Sequence, residues 1–196
     1  MKHWSNKLPK SACRDALTWA QEQKSAQSAW DTCKRGNWML WLLGKLSGPP
    51  ESDLRKKLVL AACGCARLAL PYVKKYELRP RIAIEIAEQY ARGENGITLE
   101  QVKDTAYAAT YAADTADTAY AAAYATYAAY AAAYAADAAD AADAAYAATD
   151  AAYAATYAAD TAYAADINAI ASIRTKVLSQ CADIIREHYP EAPKLC

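Results

Sequence analysis

Apolar residues recur every three or four positions through most of this chain, and the breaks between those runs predict a succession of helices. Ala12, Ala16 and Trp19/Ala20 share one face of a helix expected over residues 12–23, with Ser11 placed to cap it. A second short helix covers residues 25–34 and stops near Gly36. Residues 38–43, Trp-Met-Leu-Trp-Leu-Leu, form a short apolar block ended by Gly44 and by Gly48-Pro49-Pro50. Ser52 or Asp53 opens a helix to about Leu70, with Leu54, Leu58, Ala61/Ala62, Cys65 and Leu68 as its buried stripe and Pro71 as its stop. Arg79-Pro80-Arg81 opens a fourth helix bearing Ile82, Ile84, Ile86 and Tyr90, closed by Gly93 and Asn95-Gly96.

At Thr98 the pattern changes. Thr98-Leu-Glu-Gln101 has the form of a capping box, so a helix starts there. From Asp104 to Asp166, 63 residues use only Ala, Asp, Thr and Tyr, with no Gly or Pro to interrupt a helix. Tyr and Asp positions recur with a mean step of about 3.3, short of the 3.6 residues of a helical turn. On one continuous rod such a stripe would wind round the axis, and the rod would be about 90 Å long. Several shorter helices packed side by side are therefore expected, with joints at Asp114-Thr115, Thr149-Asp150 and Asp160-Thr161. Ala faces let such helices approach closely, and Tyr fills the gaps. Residues 167–189 return to an ordinary amphipathic pattern through Ile167, Ile170, Ile173, Val177/Leu178, Cys181 and Ile184/Ile185.

These elements predict an all-α protein, a helical bundle or stacked helical array whose C-terminal half is Ala/Tyr-rich and closely packed. The expected organisation is a Trp-containing region over 1–97, an Ala/Tyr/Asp/Thr-rich region over 98–189 packed on it, and a short tail over 190–196, all in one compact unit.

Composition adds an aromatic bias: 15 Tyr and 5 Trp, with no Phe. Zero net charge hides an asymmetry. Residues 1–100 carry 17 basic and 10 acidic groups, whereas residues 101–166 carry one Lys and nine Asp. A basic half beside an acidic half suggests internal complementarity or two differently charged working surfaces. No apolar run is long enough to span a bilayer, and the basic residues before Cys13 precede no apolar signal core. The expectation is a cytoplasmic protein whose six Cys are reduced and mostly buried. Cys63-Gly-Cys65 lacks the spacing of a redox or zinc pair, and no metal or cofactor is expected.

Chemistry is sparse. His3 and His188 lie near the two ends, and no phosphate loop, dinucleotide fingerprint, metalloprotease motif or nucleophile elbow occurs. No catalytic residue is expected and the chain is read as a non-enzyme. Three binding features stand out. Arg67, Arg79 and Arg81 surround Tyr72 and the Pro71–Pro80 stretch, where they suit an anion or pair with the acidic helices. Tyr107 and Tyr111 open a Tyr ladder that can stack a base, form an interface or simply fill space. Asp137, Asp140 and Asp143 lie along one helix face, as a contact for a basic partner or as a solvated surface. Trp19, Trp30, Trp38 and Trp41 are expected in the core, with Asp31 able to hold an indole N–H or an Arg. Neutral charge and the lack of a known module argue against nucleic acid as the main partner.

Residues 12–43 (ACRDALTWAQEQKSAQSAWDTCKRGNWMLWLL) and 58–94 (LVLAACGCARLALPYVKKYELRPRIAIEIAEQYARGE) resemble the N-terminal region of the Imm-5-like immunity proteins of bacteria and their phages. The W-x-x-W-L-L block and the A-L-P-Y-V and R-P-R-x-A-I segments carry the likeness, and an Ala-rich helical tail dotted with Tyr accompanies it. The resemblance implies a non-catalytic inhibitor, an immunity or phage counter-defence protein that sequesters a toxin or defence protein. The alternative is a sponge for a nucleotide-like small molecule, bound by Tyr rings and Arg side chains in a pocket lined by both halves. The Ala–Tyr faces would equally serve a homo-oligomer.

Overall fold

The computed structural model describes residues 3–114, 120–136, 146, 149–151, 153–154 and 167–195. Among them every regular element is helical. The order is a 3₁₀ turn at Trp4–Lys7, α1 (Arg14–Gln21), α2 (Ala26–Thr32), α3 (Gly36–Leu46), α4 (Asp53–Arg67), a 3₁₀ turn at Leu70–Tyr72, α5 (Arg79–Arg92), α6 (Leu99–Asp114), α7 (Tyr120–Tyr134) and α8 (Ile167–His188). No helix among the described residues is long and apolar enough to cross a membrane.

α4 organises the bundle, packing on α3, α5, α7 and α8. Its Leu58, Val59, Ala61, Ala62, Cys63, Cys65 and Ala66 are fully buried. On one side α5 packs against α6 and α7; on the other α3 packs against α8. The first hundred residues and the later helices therefore share one core, in which Leu40, Leu58, Ile84, Val102 and Ile185 are the large buried side chains.

α7 shows what an Ala-rich sequence can build. Ala128, Ala129, Ala131, Ala132 and Ala133 are buried almost all round the helix, as expected of an element enclosed by neighbours. Tyr124, Tyr130 and Tyr134 fill the space beside it. α6 and α7 are separate helices packed on each other, as their step length predicted. Thr149 and Asp150 are themselves helical, while Thr115 and Asp160-Thr161 lie outside the described residues.

Local signals set most boundaries. Thr98 Oγ1 accepts the Gln101 N–H at 3.3 Å and Gln101 Oε1 accepts the Thr98 N–H at 2.9 Å, which completes the capping box of α6. Pro80 sits in the first turn of α5, and Gly93 ends that helix at φ 70°, in the left-handed region that glycine adopts without a Cβ clash. Ser52 caps α4 by accepting the Arg55 N–H, and Ser25 caps α2 by accepting the Ser28 N–H. Three expectations are corrected. α1 begins at Arg14 after Cys13, so Ser11 does not cap it. Gly44 does not end the Trp block: α3 runs through it to Leu46 and buries it. Leu54, expected in the buried stripe of α4, is exposed; it lies in the first turn of the helix, two residues after the Ser52 cap.

Candidate functional site

The short N-terminal helices do not close on themselves. Between α1, α2, α3 and the segment that follows α8 lies a cleft of about 410 Å³ lined by Trp4, Trp19, Trp30, Trp38 and Trp41. These are all five tryptophans of the chain. Leu8, Ala16, Met39, Leu42, Pro193 and Leu195 complete its apolar walls. The expectation that Trp19, Trp30, Trp38 and Trp41 belong to the core holds in full only for Trp30; Trp19 and Trp38 pack against the core from the cleft side. Trp30 is buried, but Trp19, Trp38, Trp41 and Trp4 are half-buried around an open concavity.

Each wall is fixed by identifiable contacts. The Trp19 and Trp38 rings, from α1 and α3, meet at 6.1 Å with a 52° tilt, within the range where aromatic pairs attract. Trp4 Nε1 donates to Gln23 O at 2.9 Å, tying the first 3₁₀ turn to the end of α1. Trp30 Nε1 donates to Tyr189 O at 2.7 Å, inside the molecule. Arg186 of α8 donates Nε to Trp30 O at 3.0 Å and Nη2 to Cys33 O. It thereby satisfies carbonyls at the end of α2 that the helix cannot bond internally. α2 has seven residues and would be marginal alone, so α8 and the chain after it hold the wall in place.

The polar groups of the cleft are few: Ser11, Cys13, Cys33, Arg35 and Asn37. Arg35 is the one charged residue lining it among the described residues. Its guanidinium carbon lies 4.3 Å from the Trp38 ring centroid, and its Nε donates to Asn37 Oδ1 at 3.2 Å, so it is held over the ring. Cys33 is buried and its thiol donates weakly to Arg35 O; burial raises its pKa, so it stays a neutral thiol. Cys13 is exposed at the rim. Asp31 holds neither an indole nor an Arg: its Oδ1 accepts Gln27 Nε2 at 2.8 Å.

The residues singled out from sequence are not brought together here. Arg67 forms a bidentate pair with Glu88, Nε to Oε1 at 2.7 Å and Nη2 to Oε2 at 2.9 Å, and Arg92 reaches the same carboxylate at 3.5 Å. Arg79 is engaged by Glu77, Nε to Oε1 at 2.7 Å. Arg81 is exposed. Tyr72 is half-buried against the core. Tyr107 accepts the Tyr134 hydroxyl at 2.6 Å on the α6/α7 surface, and Tyr111 is exposed beside it. Asp137, Asp140 and Asp143 lie outside the described residues. Among the described residues, no group of three or more His, Cys, Asp or Glu could hold a metal ion. Cys63 and Cys65 are fully buried, and burial drives both thiol pKa values up.

The arrangement defines an all-α protein with an aromatic cleft built on short helices. In comparisons with protein-family models, curated proteins and solved structures, nothing matches the chain.

Proposed function

We propose that this chain is a non-catalytic binding protein that acts by sequestering a protein partner, with the Trp-lined cleft as the principal contact. The observation that carries the reading is the convergence of all five tryptophans on one open cleft. Trp dominates binding energy at interfaces because it buries a large rigid area, whereas a Trp needed only for stability gains most by full burial. Among the described residues the cleft is lined by no carboxylate, Lys or His, which supports binding over acid–base chemistry. Residues 3–50 carry seven basic and three acidic groups, so this neighbourhood complements an acidic surface. The resemblance to Imm-5-like immunity proteins points the same way, toward neutralisation by occupation.

A second reading is favoured by one feature. A concave volume of about 410 Å³ is in the size range of small-molecule sites, and Arg35, held over Trp38, would meet an acidic group on an apolar ligand. Arg67 and Arg79, already engaged by Glu88 and Glu77, lend it less support than the sequence suggested.

The test pairs native mass spectrometry of the freshly purified chain with affinity capture on the unmodified chain, Trp19→Ala and Trp38→Ala. Sequestration predicts a stoichiometric protein partner retained by the unmodified chain and lost at least tenfold on either variant. A bound mass of a few hundred daltons that leaves on unfolding would select the small-molecule reading. Capture indifferent to both Trp variants would refute the cleft as the contact.

A further inference from the structure

The segment after α8 shows what chemistry the cleft accepts. Residues 190–195, Pro-Glu-Ala-Pro-Lys-Leu, form no helix and lie along the cleft, with Ala192, Pro193 and Leu195 in its wall. Their main chain is gripped by side chains. Gln27 Oε1 accepts the Ala192 N–H at 2.9 Å, while Gln27 Nε2 lies 3.4 Å from Pro190 O. One amide thus spans the backbone of residues two apart. Asp31 fixes which way that amide faces by accepting Nε2 at 2.8 Å, and Trp30 Nε1 takes the preceding carbonyl, Tyr189 O. These contacts read the main chain of a non-helical segment that bends at Glu191, and no particular side chain, so another segment of the same shape can satisfy them. Its two prolines fix φ at Pro190 and Pro193, so the segment has less backbone freedom to lose when it docks, and aromatic grooves accept proline-containing segments for that reason.

We propose that the cleft is a groove for a non-helical, proline-containing segment of the sequestered partner, and that residues 190–195 are the chain's own stand-in for it. The inference rests on the sequestration reading and adds the chemistry of the contact. Tyr189 remains the anchor, buried with its hydroxyl donating to Leu54 O, while the residues beyond it give way. A segment tethered so close competes at millimolar effective concentration, so the unmodified chain binds a free peptide of this kind weakly.

The probe is a fluorescein-labelled peptide with the sequence of residues 190–195, titrated by anisotropy and by the tryptophan emission of the cleft. In the variant Ala192→Pro with Leu195→Asp, the first change removes the N–H that Gln27 accepts and the second puts a charge against the apolar wall. This variant should bind the peptide at least tenfold tighter than the unmodified chain. Adding Gln27→Ala should weaken that binding at least fivefold, as should replacing both prolines of the peptide by alanine. A deletion of residues 190–196 replaces the double variant if that fails to fold by circular dichroism. Binding that ignores the release of the segment, the prolines or Gln27 overturns the proposal, as does an absence of saturable binding. If peptide binding fails while partner capture still depends on Trp19, the peptide chemistry is refuted and sequestration stands. If neither depends on the cleft, both are refuted.

Discussion

Gly36→Ala probes the packing that positions the cleft. Gly36 opens α3, the helix that carries Trp38 and Trp41, at its closest approach to α8. A Cβ there would lie 2.5 Å from Cys181 Cβ, 2.9 Å from Ala182 N and 3.0 Å from the Cys181 carbonyl carbon. Comfortable carbon contacts begin near 3.5 Å, so the helices must part by about 1 Å. The opposing atoms are backbone and Cβ, with no flexible side-chain end to swing aside. Overpacking of this kind costs about 1–3 kcal/mol, and rigid neighbours place it at the upper end. Gly36 has no positive φ, so alanine also restricts the unfolded chain and returns about 0.4–1 kcal/mol. The net expectation is a loss of about 2 kcal/mol. Urea unfolding should show a lower midpoint at unchanged slope, a shift of about 1 M at the slopes typical of small proteins. Gly64→Ala is the internal control. Its Cβ would meet Ile184 Cγ2 at 2.7 Å, a single side-chain methyl with no backbone atom behind it within 4 Å, so it should cost less even though a β-branched side chain is stiff. A Gly36→Ala chain as stable as the unmodified one, or less perturbed than Gly64→Ala, would refute the reasoning.

Three further outcomes follow from buried or half-buried groups. Desolvation raises the Asp150 pKa to about 7 from an ordinary 3.8, so the native state keeps a proton that the unfolded chain loses; this stabilisation is complete below about pH 3.8 and is lost as pH rises to about 7. Asp150→Asn should therefore be more stable than the unmodified chain at pH 8, by up to about 4 kcal/mol at 1.36 kcal/mol per unit, with the gain vanishing near pH 4 in paired thermal scans. Glu88→Gln should cost about 1–2 kcal/mol in urea unfolding, because it breaks the bidentate Arg67 pair; the partial exposure of both arginines keeps the loss below that of a fully buried pair. In a Cys196→Ser background, a maleimide should label one thiol fast, the exposed Cys13, while Cys33, Cys63, Cys65 and Cys181 react only through unfolding; two fast labels counted by mass would contradict the burial pattern.

What could be read in the sequence is what depends on neighbours in the chain. The Thr98–Gln101 box, Pro80 in the first turn of α5 and Gly93 at its end act within four residues, and each does what its chemistry dictates. The short step of the Tyr–Asp pattern correctly separated α6 from α7, because a stripe that slips round a rod cannot face one core. Gly44 was misread because glycine inside a helix is disfavoured by its entropy, yet burial in α3 overrides that preference. The cleft was illegible for another reason. Trp19 meets Trp38 from a different helix, Trp30 finds its acceptor 159 residues away, and Gln27 finds Ala192 165 residues away. Only the absence of Phe hinted that the aromatic rings of this chain carry polar edges for use.

Why the cleft sits on short helices follows from the same packing. Alanine helices approach closely and leave little relief, and α7 is enclosed by α4, α5 and α6. Relief requires large side chains on elements that do not fully close, and α1 and α2, of eight and seven residues, supply Trp19 and Trp30. Such helices are held by what docks on them. For α2 that is Arg186 on its last carbonyls and the 189–192 backbone on Trp30 and Gln27. A segment that replaces residues 190–195 must therefore supply the same grip on Gln27. One that fills the cleft without it should leave the end of α2 less protected from amide exchange, so exchange across residues 26–32 distinguishes a true substitute for the segment from a mere occupant.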